Sequence, residues 1–103
     1  MKWHFTDGWT LGDFTTVLSK ADSYKLADDE KRPFINVVMS AASKTLTLDL
    51  ATGDCCVVYN SGGTNAITIK NVSGDTGTSL AAGKVAYVMA SRTADASAVK
   101  VLN

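Results

Sequence analysis

The stretch Thr45-Leu46-Thr47-Leu48-Asp49-Leu50 decides the fold class, because polar and apolar residues alternate through it without a break. A repeat of two residues is the pattern of a β-strand that buries one face and exposes the other. The leucines of this strand are expected to face a core, and the threonines and the aspartate to face water. The stretch therefore predicts a half-buried strand.

Further strands are predicted on both sides of this stretch. Residues 55–59 form a continuous apolar run, which is typical of a central strand, and glycine-containing loops at 60–65 and 73–78 are predicted to be hairpin turns. Short strands at regular spacing, with turn signals between them, predict a mainly β fold, namely a small antiparallel β-sandwich or barrel. The six predicted strands cover residues 34–40, 45–50, 55–59, 67–70, 85–89 and 99–102.

The first third of the chain differs in character. Leu11, Phe14 and Leu18 recur at helical spacing, which predicts one short helix over about residues 11–20. A charged run then ends at Pro33, as expected for a solvated connector. We predict that residues 1–32 form an N-terminal arm with a short helix and a charged connector, and that residues 33–103 form the β-sandwich domain.

Length and charge exclude several classes of protein. With 103 residues the chain has room for one core. Ten basic and ten acidic residues cancel, whereas a nucleic-acid-binding domain normally has a basic excess. No apolar run approaches the roughly 18 to 20 residues that span a bilayer, and the N-terminus lacks the apolar core of a signal peptide. Charged residues make up only 19%, so we expect some surface to be covered in a homo-oligomer.

Residues suited to catalysis or metal binding are few. His4 is the one histidine, and Cys55 and Cys56 are adjacent, which is the wrong spacing for a zinc site. Neighbouring residues of a strand point to opposite faces, so both cysteines are predicted to be free thiols, unreactive because of burial. We predict no catalytic residue, no metal and no cofactor.

Aromatic residues are the best candidates for an interface or a ligand platform. Three lie in the predicted arm, and we favour their packing against the β-domain or a neighbouring subunit over stacking on sugars. Strand 85–89 is apolar on both faces, so the face that carries Tyr87 needs cover from the arm or from a partner. The candidate residues are Trp3, Phe5, Trp9 and Tyr87.

From Lys44 onward the chain resembles a β-module of bacteriophage tail fibres and related virion appendages. The resemblance rests on residues 44–50, on Val57-Val58-Tyr59-Asn60, on the words AITIKN (66–71) and AAGKVAYV (81–88), and on residues 95–102. It implies a non-enzymatic virion structural protein, as a tail fibre, head fibre or capsid decoration, assembled in the host cytoplasm. It also implies a homo-oligomer, with a trimer first, that contacts other virion proteins or the host surface. The aromatic arm has no counterpart in this pattern.

Two other functions stay open. The first alternative is a carbohydrate-binding module that uses Trp3, Trp9 or Tyr59 as a receptor platform. In the second it is a small enzyme with Cys55 or Cys56 as its nucleophile.

Overall fold

The computed structural model describes residues 14–90 and the backbone of residues 99–102. This part of the chain is mainly β, with one 3₁₀ turn at Asp28–Glu30 and no α-helix within residues 15–90. The strands are β1 (Thr15–Lys20), β2 (Tyr24–Lys25), β3 (Phe34–Met39), β4 (Lys44–Thr47), β5 (Cys55–Asn60), β6 (Ile67–Lys70), β7 (Thr78–Leu80), β8 (Val85–Met89) and β9 (Val99–Leu102).

The strands form two sheets, neither of which closes into a barrel. The large sheet has the order β1-β3-β5-β8-β9, and the small sheet has the order β2-β4-β6-β7. The first six strands alternate between the two sheets. Each successive pair of strands therefore adds one strand to the large sheet and one to the small sheet. The first three strands of each sheet are therefore parallel, and the later ones pair antiparallel.

The predicted antiparallel arrangement is thus wrong for the first three strands of each sheet. Parallel neighbours need a crossover connection, which in α/β proteins is usually a helix. Here the crossover is a strand of the opposite sheet: the chain leaves β3, forms β4 in the small sheet, and returns to β5. The loop at 60–65 accordingly joins two sheets and is not a hairpin, whereas the loop between β6 and β7 does join antiparallel neighbours.

The predicted helix over residues 11–20 is also wrong where the structure describes it. Residues 15–20 form β1, which pairs in parallel with β3, with Thr15 opposite Phe34. Leu18 is buried and Val17 is 74% exposed, as the two-residue repeat of a strand requires. Three consecutive β-branched residues begin β1 and favour an extended backbone, which outweighs the helical spacing of the apolar residues. Residues 11–13 lie outside the described residues.

All six predicted strands are present, and β5 is central in the large sheet as expected. The two strands missed besides β1 are β2, of two residues, and β7, of three. Pairing with β4 and β6, rather than any local pattern, determines them. Pro33 lies directly before β3. Two strands precede it in the chain, β1 in the large sheet and β2 in the small sheet.

One hydrophobic core lies between the sheets. Each of its layers consists of residues that pair across neighbouring strands, for example Ile35 with Val58 and Val58 with Ala86 in the large sheet. Leu46 and Ile69 form the corresponding layer of the small sheet. All five residues are fully buried.

Asn60 links the sheets at the end of β5. Its side chain is fully buried, and its amide nitrogen donates hydrogen bonds to the backbone oxygens of Asn65 (2.9 Å) and Leu80 (3.0 Å). The backbone of Asn60 also accepts a hydrogen bond from Gly83, just before β8. The side-chain amide of Asn60 therefore holds the crossover loop and the end of β7, and its backbone oxygen holds the turn into β8.

Candidate functional site

The residues of the large sheet that alternate with the buried ones point away from the core. Register places them in rows across the strands. One row runs Thr15, Phe34, Val57, Tyr87, and the next runs Val17, Asn36, Tyr59, Val85. We call the described outward positions on β1, β3, β5 and β8 the outer face of the large sheet: Thr15, Val17, Ser19, Phe34, Asn36, Val38, Cys55, Val57, Tyr59, Val85, Tyr87 and Met89.

This outer face is apolar and carries no charged residue among its twelve positions. Phe34, Val57 and Tyr87 lie side by side on three neighbouring strands, which gives a continuous apolar row. Val17 is 74% exposed and Met89 is 53% exposed, while the other apolar members are half-buried. A continuous apolar patch of this kind is uncommon on the surface of small monomeric proteins.

The small sheet provides an internal comparison, because its outward positions are all polar. Register again defines two rows, which together contain only lysine, threonine and serine. Such a face is well solvated without any partner. The rows of this outer face of the small sheet are Lys25, Thr47, Lys70 and Thr45, Thr68, Ser79.

Two of the polar groups on the outer face of the large sheet already have partners within the chain. The Ser61 hydroxyl donates a hydrogen bond to the side-chain oxygen of Asn36. Interaction with the neighbouring Cys55 side chain raises the pKa of Tyr87. These partners lower the cost of removing the face from water, since a buried polar group is expensive mainly when unpaired.

The two cysteines are free thiols on opposite sides of β5. Cys56 is 2% exposed within the core, as predicted, whereas the predicted burial of Cys55 is wrong, since this residue lies on the outer face and is only partly buried. Burial, with a smaller contribution from the negative charge of Cys55, raises the pKa of the Cys56 thiol to about 12. Cys56 is therefore a core residue that stays protonated near neutral pH.

Of the predicted site residues, the structure describes Tyr87 and places it in the apolar row beside Val57. Trp3, Phe5 and Trp9 lie outside the described residues, as does His4. The prediction that strand 85–89 has two apolar faces is confirmed, since Ala86 and Val88 are buried and Tyr87 lies outward.

Sequence reasoning missed the contribution of Phe34, Val57 and Val17 to the same surface. The signal was present in β3 and β5, where apolar residues occupy both alternating sets of positions. A strand that is apolar at both sets has two faces to bury. Without the strand order, however, these residues could not be assigned to one surface.

A second surface feature is a depression lined by Asp28, Lys31 and Asp49 beside Leu50 and Ala51. The Lys31 ammonium lies 2.9 Å from an Asp28 carboxylate oxygen and 3.3 Å from one of Asp49. The hydrogen bond that Lys31 donates to Asp28 is the main reason that the pKa of Lys31 is raised. The Lys25 ammonium lies 3.6 Å from the same carboxylate oxygen of Asp49, so two lysines balance the two carboxylates.

Within residues 14–90, no group of three or more histidine, cysteine, aspartate or glutamate side chains is arranged to hold a metal ion. The same part of the chain has no helix with the length and apolar character needed to cross a membrane.

Fold and surface together define the class: a mainly β protein of two mixed sheets, in which one sheet has an apolar outer face and the other a polar one. No protein-family model, no curated protein sequence and no solved structure matches the chain.

Proposed function

We propose that this chain is a non-enzymatic structural protein of a bacteriophage virion, a fibre or head-decoration module that acts as a homo-oligomer. The observation that carries the proposal is the contrast between the apolar outer face of the large sheet and the polar outer face of the small sheet. A protein that works as a separate monomer has no need of an apolar outer face.

The resemblance described above supports the same function. The sequence motifs that carry the resemblance lie on strands of both sheets. Residues 44–50 lie on β4 and the segment after it, AITIKN lies on β6, and AAGKVAYV lies on β8. They therefore describe the framework of the fold. A trimer is the first choice of oligomer, with other virion proteins as further partners and the virion as the location. Assembly, stabilisation and host attachment are the roles open to it.

Two measurements test this proposal. Mass spectrometry of purified phage particles from a host that carries the gene is expected to find the protein at a fixed stoichiometry. Multi-angle light scattering of the purified chain at micromolar concentration is expected to give a multiple of the 10.8 kDa monomer mass. A chain that is missing from particles and strictly monomeric contradicts the proposal.

A carbohydrate-binding role is the second candidate, and one observation favours it. Tyr59 and Tyr87 are diagonal neighbours on β5 and β8, beside Phe34, so three aromatic rings share one face. Aromatic rings with polar tips suit ligands that have both apolar and hydroxyl-bearing sides. A glycan array with bound sugars that are lost in Tyr87→Ala would favour this role, and an array without hits would remove it.

A further inference from the structure

We propose that a groove at one corner of the small sheet binds a single neutral sugar ring. The groove lies between the turn at residues 40–43, which leads into β4, and the loop at residues 61–66, which leads into β6. Its volume is about 320 Å³. The proposal goes beyond the proposed function, because a structural role in a virion needs no ligand. It also places sugar binding away from the tyrosines of the large sheet.

The side chains that line the groove supply hydrogen-bond donors and acceptors together. A hydroxyl group offers one donor and two acceptor lone pairs, and a side-chain amide offers groups of both kinds. Between these polar groups lie the small apolar side chains of Ala42 and Ala66. The lining therefore matches a ligand that carries several hydroxyl groups and also some C–H surface. The polar lining residues are Ser43, Thr64, Asn65, Thr68 and Ser79.

Thr68 and Ser79 belong to the sheet itself. They lie directly opposite each other in the antiparallel pair β6–β7, and both occupy outward positions. The Cβ atoms of such a pair are about 4.5–5.5 Å apart. Because a sheet holds its side chains more precisely than a loop does, these two hydroxyl groups have a fixed spacing.

Hydrogen bonds join the two walls of the groove before any ligand binds. The side-chain nitrogen of Asn65 donates to the backbone oxygen of Met39 (2.9 Å), which links the loop at 61–66 to the residue before the turn at 40–43. The buried amide of Asn60 donates to the backbone oxygen of Asn65 (2.9 Å). The backbone nitrogen of Ser61 donates to Val37 (3.0 Å). A ligand would thus find ordered walls, which lowers the cost of binding.

Two lining residues are held in arrangements that suit a ligand site. The bond to Met39 uses one of the two amide hydrogens of Asn65, and no described contact uses its side-chain oxygen, so both a donor and an acceptor remain for a ligand. Ser43 has a φ of 61°, a left-handed conformation that is uncommon for residues other than glycine. Such conformations are found disproportionately at ligand sites.

Other ligand chemistries fit the groove less well. A purely apolar ligand would cover the hydroxyl groups and the amide without giving them partners, which is unfavourable. A phosphate or a carboxylate would lose water without meeting a cation among the residues that line the groove. The volume is at the lower end of the range for ligand pockets, about 300–1,000 Å³, and suits one ring better than a larger ligand.

Nuclear magnetic resonance tests the proposal directly. The ¹⁵N-labelled chain is titrated with the methyl glycosides of glucose, galactose, mannose and N-acetylglucosamine. At least one of the four is expected to give saturable shifts with a Kd of about 1 mM, a weak affinity that suits a single small ring. The shifts are expected at the backbone amides of residues 42–43, 64–68 and 79. Shifts centred on Tyr59 and Tyr87 would overturn the proposal, since they would place the sugar on the large sheet.

A matched pair of variants tests the role of the hydroxyl groups. Thr68→Val removes a hydroxyl group from the groove with almost no change of shape, and Thr45→Val makes the same change in the same row, at a position that does not line the groove. Thr68→Val is expected to weaken sugar binding about three- to tenfold, the effect of one neutral hydrogen bond. Thr45→Val is expected to leave it unchanged. Ser79→Ala repeats the test at an exposed position. Equal losses in Thr45→Val and Thr68→Val would overturn the proposal.

The outcomes separate this proposal from the proposed function. If none of the four glycosides gives saturable shifts, the groove is not a sugar site, and the virion role stands or falls by particle composition and light scattering as before. A chain that is missing from particles and monomeric, yet binds a sugar in the groove, overturns the virion role alone. Binding that is retained in Tyr87→Ala and weakened in Thr68→Val supports the groove over the tyrosines.

Discussion

Val57 and Tyr87 lie directly opposite each other in the antiparallel pair β5–β8, and both side chains point away from the core. Their chain neighbours Val58 and Ala86 also form a pair, and these two are fully buried. One antiparallel pair therefore contributes an apolar layer to each side of the large sheet. Because of this double contribution, the large sheet covers the core with one face and carries apolar side chains on the other.

The first prediction compares neighbouring valines of β5. Val58→Ala removes two methyl groups from a fully buried site and is expected to lower the free energy of unfolding by about 2 kcal/mol. Val57→Ala is expected to lower the unfolding free energy of the monomer by less than about 1 kcal/mol, since the site is half-buried. Urea denaturation of both variants at the same low protein concentration measures the difference. Equal losses would contradict the assignment of the two faces.

The second prediction concerns alkaline pH. The pKa of Cys56 rises from 9.0 to about 12 on folding, so the native state keeps a proton that the unfolded state loses. Below pH 9 this contribution to stability is fully present. Between pH 9 and 12 it is lost as pH increases, at up to about 1.4 kcal/mol per pH unit.

Urea denaturation between pH 8 and 11, with a reducing agent, measures this loss. The slope of stability against pH is expected to be shallower in Cys56→Ala, even though the variant is less stable at pH 8. Cys55→Ala is the matched control. An unchanged slope in Cys56→Ala would show that the thiol does not stay protonated in the native state.

The third prediction concerns Asn60. Asn60→Ala removes the two amide hydrogen bonds to the backbone oxygens of Asn65 and Leu80, of which the second is buried. We expect a loss of about 1–3 kcal/mol in the free energy of unfolding, the cost of one unpaired buried group. Thermal denaturation measures the loss. Ser73→Ala, in the exposed loop after β6, is the control and is expected to change stability little.

The fourth prediction concerns Gly62. A Cβ atom added at this position would lie 2.6 Å from Cγ2 of Val38, so the loop after β5 approaches β3 more closely than a side chain permits. Gly62→Ala is expected to destabilise the fold by about 1–3 kcal/mol, as overpacked sites do. Val38→Ala removes the methyl groups concerned and is expected to recover part of that loss in the double variant. A double-mutant cycle by urea denaturation measures the coupling, and strictly additive losses would argue against the contact.

Much of the local structure follows from the residues alone. The alternation in residues 45–50 predicts an extended segment, and β4 covers its first part. The apolar run at 55–59 predicts a central strand, and β5 occupies the middle of the large sheet. Both predictions succeed because burial on one or both faces of a strand leaves a two-residue repeat or an unbroken apolar run.

Only part of the outer face of the large sheet could be predicted from the sequence. Tyr87 was identified from the two apolar faces of its own strand, whereas Phe34 and Val57 joined it only when three strands were seen side by side. Residues 15–20 were misread because apolar residues at helical spacing also suit a strand whose other positions are β-branched.

The sequence by itself determined that this protein is built mainly from extended segments around one core. The tertiary structure alone decided which sheet each strand joins and which neighbours run parallel. The physical reason is that the two-residue repeat records only whether a side chain is buried. It is the same for a strand that turns back on its neighbour and for one that crosses to the opposite sheet. The apolar outer face is a consequence of that crossing, since it gathers Phe34, Val57 and Tyr87 from three separate parts of the chain.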